Sequence, residues 1–182
     1  RVSFHSRRDL CADRVVISGF GCLTPVGNDR HTLWRAYREG RSGVGTIGAF
    51  DPGTLPVRIA GEVRDIDPFK NIPAKDRRHV SRTAALALGA ARQALEDAKL
   101  CLPDLDRAQR QRIGVVLGSG GGGLEFTERQ YAHYYGGNVR KASVYSIPTS
   151  TIGTLSSELS MAFDFHGPSH VVSTGCTSST DA

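Results

Sequence analysis

The stretch SHVVSTGCTSST, residues 169–180, decides how this chain is read. Ser169 to Ser173 sets a β-branched pair between the Gly167-Pro168 break and a small-residue turn, the pattern of a short buried strand. It runs straight through Thr174 and Gly175 into Cys176, and the hydroxyl residues Thr177 to Thr180 follow as the start of a helix. In outline that is a nucleophile elbow. Gly175 permits a tight or strained turn; a helix N-terminus supplies unpaired N–H groups and partial positive charge, which lower a thiol pKa and stabilise a neighbouring oxyanion. From this segment unaided Cys176 keeps two readings, a nucleophile or a small buried hydrophobe, the commoner use of a free cysteine.

Upstream of the elbow, Ile152, Leu155, Leu159 and Phe163 recur on one helical face, and Pro148 stands where such a helix can begin. Ile113 to Leu117 reads as a buried strand, Gly118 to Gly123 as a glycine-rich loop, and Glu125 to Tyr135 as the helix it opens onto. The surest helix is Asp76 to Lys99, where Val80, Ala84, Ala87, Leu88, Ala91, Ala94, Leu95 and Ala98 recur at helical spacing. Residues 42–75 read as an irregular insertion with a β-ribbon that uses Val57 to Val63. Asn28 or Asp29 can cap a helix to about Glu39, with Leu33, Trp34 and Tyr37 on one side and Gly40 as its stop. Arg14 to Ser18 reads as a buried strand that ends at Gly19 and Gly21. Strands alternating with helices predict a layered α/β fold.

Several function classes are set aside by composition. With 182 residues, 39% hydrophobic and 23% charged, the profile is that of an ordinary globular chain, and no apolar run is long enough for a transmembrane helix. The net charge of +5 is a mild bias toward acidic partners, without the aromatic-interleaved basic stripe of a nucleic-acid module. Cys11, Cys22, Cys101 and Cys176 form no CxxC or Cys/His cluster, so neither a metal site nor a disulfide framework is expected, and the cytoplasm is the expected compartment. Residues 1–13 lack the apolar stretch of a secretory signal and are read as a flexible leader before a domain at 14–182. The glycine run lacks the GK[ST] ending of a phosphate loop, so it is read as backbone that must approach a buried pocket. His5, His31, His79, His133, His166 and His170 show no paired ligand spacing and are read as structural or surface residues.

From Arg14 to Ala182 the chain resembles the elongating β-ketoacyl-[acyl carrier protein] synthases. Seven segments carry the resemblance in order: RVVISGFGCLTPVGN (14–28), LWRAYREGRSGV (33–44), FDP (50–52), RIGVVLGSGGGG (112–123), GGNVRKAS (136–143), IPTSTIG (147–153) and HGPSHVVSTGCTSSTDA (166–182). The resemblance implies a thiolase-like fold layered α-β-α-β-α, with this chain as its N-terminal half, and Cys176 as the catalytic residue that carries the acyl chain. Thiolases share that fold, but their nucleophile lies much nearer the N-terminus and in a different motif. The family's two catalytic histidines, its lysine and its second oxyanion N–H belong to the other half, so these residues alone would not make a competent synthase.

The same resemblance implies an acyltransferase that takes an acyl group from the phosphopantetheine of an acyl carrier protein and condenses it with malonyl-carrier protein, with no metal or other cofactor. It implies a homodimer, or a heterodimer with a chain-length factor, paired through 140–173, and no nucleic-acid or membrane partner. Fatty-acid elongating members have Ala before the Cys and Gly three residues after it, where this chain has Gly175 and Ser179. The Gly-Cys-Thr-Ser run followed by Asp181-Ala182 is closer to type II polyketide ketosynthase-alpha subunits, although Ser179 departs from both. Polyketide synthesis is therefore the expected role and fatty-acid elongation the alternative. A non-catalytic partner subunit is a third reading, disfavoured by the intact cysteine. Gly121 and Ser146 stand where the family has a branched and an aromatic pocket residue, which predicts an enlarged acyl pocket. Lys75, Arg77 and Arg78, expected to begin the long helix, and Arg140 and Lys141 stand at the family's carrier-protein docking surface.

Overall fold

A computed structural model describes residues 14–182; the leader expected at 1–13, with Cys11 and His5, lies outside the described residues. Helix α1 spans Arg30–Arg38. Asp29 caps it with a carboxylate that accepts from the His31 and Thr32 amides at 2.8 and 2.9 Å, and the Thr32 hydroxyl accepts in return from the Asp29 N–H. Gly40, at φ +63°, ends it in the left-handed region that a side chain disfavours. The expected apolar side is packed only in part: Leu33 is half-buried and Ala36 is the buried residue of α1, while Trp34 and Tyr37 are exposed and stacked on each other. Strands β1 (Val44–Thr46) and β2 (Ile59–Gly61) pair antiparallel, with Val44 opposite Gly61, and form the ribbon expected in the insertion.

The long helix α2 spans Arg82–Asp97, six residues shorter at its start than the spacing predicts. Ser81 adopts an extended backbone (ψ 157°) and its hydroxyl accepts from the Ala84 amide, which caps the helix there. Before it the chain folds in turns. The Asp76 and Arg77 amides both donate to Pro73 O, and those of His79 and Val80 to Asp76 O. Lys75, Arg77 and Arg78 therefore sit in this turn segment and not on the first turn of the helix.

Arg14 to Ser18 is not a strand. A ladder needs a second backbone, and among the described residues none lies beside it: Val15 is 100% and Ile17 91% exposed. The chain instead continues along α2, where the Phe20 N–H donates to the Asp97 carboxylate and the Cys22 N–H to Gln93 Oε1. Gly19 and Gly21 make that approach possible, since a Cβ on them would lie 2.1 Å from Ala94 O and 2.0 Å from Ala90 O.

After the short helix α3 (Arg107–Gln111) comes β3 (Val115–Gly118), then α4 (Leu124–Tyr135), α5 (Ser146–Ser150), α6 (Thr154–Phe163), β4 (Ser169–Val172) and the single-turn α7 (Ser178–Asp181). The strands β3 and β4 pair in parallel, Val115 with Ser169 through Gly118 with Val172. Because side chains alternate across a sheet, Val115, Leu117 and Val171 turn to one face, and there they join Leu155, Leu159 and Phe163 of α6. Ala84, Ala85 and Leu88 of α2 close the far side of this core with Ile72 and Val80. The opposite face is met by α7, and a Cβ on Gly118 would sit 2.2 Å from Ser178 O. α7 meets that second face at its Gly118 end while Val116 and His170 stay exposed, and helices packed on a parallel pair are the α/β arrangement that the sequence predicts. No helix among the described residues is long and apolar enough to cross a membrane.

Candidate active site

At the C-terminal end of β4 the chain passes Ser173 and Thr174 and bends at Gly175, whose φ is +67°. No atom lies within 4 Å of where its Cβ would be, so glycine is required here by backbone conformation and not by space. Cys176 follows, in a 3₁₀ turn spanning Gly175–Thr177, and its side chain is exposed with a free thiol.

The hydroxyl residues around it hold the turn. Ser178 is buried, donates to Gly175 O at 2.6 Å and accepts from the Thr174 amide at 3.0 Å, so one side chain ties both sides of the bend. Thr177 donates to Thr174 O at 3.0 Å, and the Asp181 carboxylate accepts from the Thr174 and Thr177 hydroxyls. The helix expected after the thiol begins as α7 at Ser178, two residues beyond Cys176.

The glycine run packs against this bend. A Cβ on Gly118 would lie 2.6 Å from Ser179 Cα, one on Gly120 3.0 Å from Gly175 O, and one on Gly123 2.4 Å from Thr149 O. The loop is thus wedged between the cysteine turn on one side and α5 on the other. Backbone approach is its use, as its lack of a phosphate-loop ending indicates, and the surface approached is the cysteine turn itself.

Gly121 is half-buried beside Leu124, and Ser146 opens α5 with its hydroxyl donating to Ser143 O. Neither borders the cavity of about 440 Å³ between the 68–80 segment, α2 and α6, whose walls include Ile72, Asp76, His79, Leu88, Glu158 and Met161. Burial pushes the Glu158 carboxyl up from its ordinary range; Asp76 adds to that and His79 opposes it.

Tyr145 packs against the first expected basic cluster and follows the second by a few residues in the chain. Arg78 stands over its ring at 5.8 Å, His79 packs against it at 4.8 Å, and Arg140 and Lys141 occupy the 3₁₀ turn Val139–Lys141 shortly before it in the chain. Lys75, Arg78, Arg140 and Lys141 are exposed, whereas the Arg77 guanidinium is engaged with Ile72 O and Lys70 O. Ser178 and Tyr145 are the site residues that sequence spacing does not single out. A serine two positions after the cysteine carries a capping signal, but nothing in the chain announces the contact of Tyr145 with a segment some seventy residues away. Among the described residues, no group of three His, Cys, Asp or Glu side chains is placed to hold a metal ion.

The family described as "Beta-ketoacyl synthase, N-terminal domain" matches residues 12–182. The 3-oxoacyl-[acyl-carrier-protein] synthase 2 of Coxiella burnetii is 37% identical over 164 residues, which is 90% of this chain and 39% of that protein. The chain therefore spans about two-fifths of the length of that curated relative. Among solved structures, the ishigamide ketosynthase/chain length factor superposes with a TM-score of 0.75 at 25% identity, over 87% of this chain and 39% of that one. A type II PKS acyl-carrier protein in complex with its ketosynthase bound to the hexaketide shares the fold at a TM-score of 0.71 and 20% identity, over 90% of this chain and 42% of that one. By sequence and by fold, the chain belongs to the β-ketoacyl synthase N-terminal domain family, with the thiolase-like architecture of its ketosynthases.

Proposed function

We propose that this chain supplies the nucleophile of a β-ketoacyl-[acyl carrier protein] synthase, an acyltransferase in which Cys176 carries the growing acyl chain. The observation that carries this reading is the exposed Cys176 thiol, held beyond β4 by the left-handed Gly175 and the Ser178 tie and backed by the glycine run. In the first half-reaction the Cys176 thiolate attacks the carbonyl of an acyl thioester on phosphopantetheine. A C–S bond to Cys176 forms, and the carrier thiol leaves with the proton. In the second, malonyl-carrier protein loses CO₂, the resulting enolate carbon attacks the Cys176 thioester, and the cysteine thiolate is released as the new C–C bond forms. The turn keeps the sulfur in place through both steps, and catalysis gains from a nucleophile that need not be ordered anew in each cycle.

Of the two expected pathways, the elongating fatty-acid type has the stronger support, because the curated relatives carry the name 3-oxoacyl-[acyl-carrier-protein] synthase 2. The polyketide reading rests on the Gly175-Cys176-Thr177-Ser178 run followed by Asp181-Ala182, and on the small residues at Gly121 and Ser146. The proposed partners are an acyl carrier protein and a second ketosynthase-type subunit, either a copy or a chain-length factor.

Intact mass after incubation with an acyl-carrier protein tests the reading. The protein should gain one acyl group, and Cys176→Ala should gain none while melting at the same temperature as the wild type. An acylated Cys176→Ala protein refutes Cys176 as the nucleophile.

A further inference from the structure

The cavity between the 68–80 segment, α2 and α6 takes no part in the proposed chemistry, since neither Cys176 nor the glycine run is among its walls. Its volume of about 440 Å³ is that of a small-molecule site. Ile72, Val80, Ala85 and Leu88 give it an apolar floor that belongs to the buried core, and Met161 extends that floor to the rim. Into the same space the fold brings Asp76, His79 and Glu158.

The 68–80 wall is held by bonds of its own. Arg77 Nε donates to Ile72 O at 3.0 Å, and the Asp76 amide donates to Pro73 O at 2.8 Å. His79 O accepts from the buried Thr149 hydroxyl at 2.6 Å, while the His79 ring packs against Tyr145. A ligand would therefore enter a formed pocket and would have little of the chain to order.

The polar groups of this pocket lack partners. Among the described residues Asp76, His79 and Glu158 enter no ion pair, and His79 Nδ1 is buried without a hydrogen bond, a vacancy that native interiors seldom leave. Burial holds the Glu158 carboxyl above its ordinary range, Asp76 pushes it the same way, and His79 alone opposes them. Arg92 stands exposed at the edge with its guanidinium over the Phe163 ring, and it is not among the charges that act on Glu158. Two carboxylates against an apolar floor thus have no cation to offset them, which is costly away from water. A bare metal ion does not answer this, because among the described residues no three His, Cys, Asp or Glu side chains converge on one point. A ligand carboxylate would add a third negative charge. An organic cation answers both features, its N–H donors meeting the carboxylates and its hydrocarbon the floor.

We infer that this cavity is a binding site for a small apolar ammonium compound, its charged end held by Glu158 and Asp76 and its hydrocarbon end by Ile72, Leu88 and Met161. The site stands independently of the condensing-enzyme reading, since no residue of the cysteine turn contributes to it.

Isothermal titration of the intact protein at neutral pH tests this with hexylamine, hexanol and hexanoate, which share one apolar body and differ in the charge at its end. Hexylamine should bind at a single saturable site, at least about tenfold more tightly than either of the others. Glu158→Gln should weaken hexylamine about tenfold and leave hexanol within about twofold, because it removes the charge at nearly constant shape. Glu158→Gln/Asp76→Asn should hold hexylamine no better than hexanol. Ala162→Trp, at the exposed rim of the cavity, should block hexylamine and hexanol alike. The melting temperature of Glu158→Gln should not fall, so binding lost in that variant is not lost folding. Equal affinity for hexylamine and hexanol overturns the proposal by reducing the cavity to an apolar void. Tighter hexanoate overturns it in favour of an anion site at Arg92. Hexylamine binding unaltered in both Glu158→Gln and Ala162→Trp places the amine elsewhere on the protein, and the absence of saturable hexylamine binding refutes the site outright.

Discussion

At the scale of single residues, Gly175 and Ser178 hold the cysteine turn, and Glu158 works against the fold elsewhere. Gly175 makes the bend because a left-handed φ disfavours any Cβ, and Ser178 locks it from a fully buried position. Glu158, on α6, lines the 440 Å³ cavity, and burial holds its carboxyl above its ordinary value near 4.5. The unfolded chain releases that proton at a lower pH than the native protein does. In the window from about 4.5 up to the raised native value, the native state therefore binds more protons, and stability falls as pH rises through it. Glu158→Gln removes this loss, so the variant should gain melting temperature over wild type as pH is raised across the window, and the two should converge below it. Parallel melting curves at every pH would show that burial of this carboxyl has no bearing on stability. The cysteine was legible as a residue, because a strand, a glycine and a run of small hydroxyls are a local pattern. The role of Ser178 was not, since a hydroxyl two positions past the cysteine could as well have faced water.

At the scale of elements, the glycine run is the joint between the strand that precedes it and the turn that carries the thiol. Gly118 and Gly121 are alike in sequence and opposite in packing. A Cβ at Gly118 meets the backbone of α7 at 2.2 Å, where nothing can move aside without shifting the cysteine turn; a Cβ at Gly121 meets the tip of Leu124, an exposed side chain free to rotate away. Gly118→Ala should therefore destabilise the protein by about 1–3 kcal/mol in urea unfolding, and an unchanged midpoint would show that α7 does not rest on β3. Gly121→Ile should fold normally and, if this position faces the acyl chain, shorten the longest acyl group transferred to Cys176 in intact-mass assays. An unchanged length profile would remove Gly121 from the pocket. Helix existence at this scale was readable from periodicity, but the start of α2 was not. Val80 continues the apolar spacing, yet Ser81 at an extended ψ ends the turns of 73–80 and begins the helix anew.

At the scale of the whole molecule, charge and uncovered surface set the terms for partners. Lys75 and Arg78 are exposed in the turns before α2, with Arg78 over the Tyr145 ring, and Arg140 is exposed after α4; each exposed charge contributes roughly 0–1 kcal/mol that salt screens. Reversing all three to Glu should raise KM for carrier-bound substrate about tenfold, near 1.4 kcal/mol, and leave transfer from small thioesters unchanged. Equal losses on both substrates would place the damage in the site or the fold. The sequence by itself determined the α/β class, a cap for α1 at Asn28 or Asp29, the long α2, the strands β3 and β4 with α4 following the glycine run, and the strand-glycine-cysteine bend, because capping, periodicity and turn chemistry act over a few residues; the short α3 and the break between α5 and α6 carry no such signal. Only the tertiary structure decided that Arg14 to Ser18 lies exposed without a ladder, that Trp34 and Tyr37 face water, that Lys75, Arg77 and Arg78 leave the helix, and that the glycine run seats the cysteine turn. Each of those depends on which distant backbone or side chain arrives at the same place, and a contact between segments far apart in the chain leaves no period or spacing in either one.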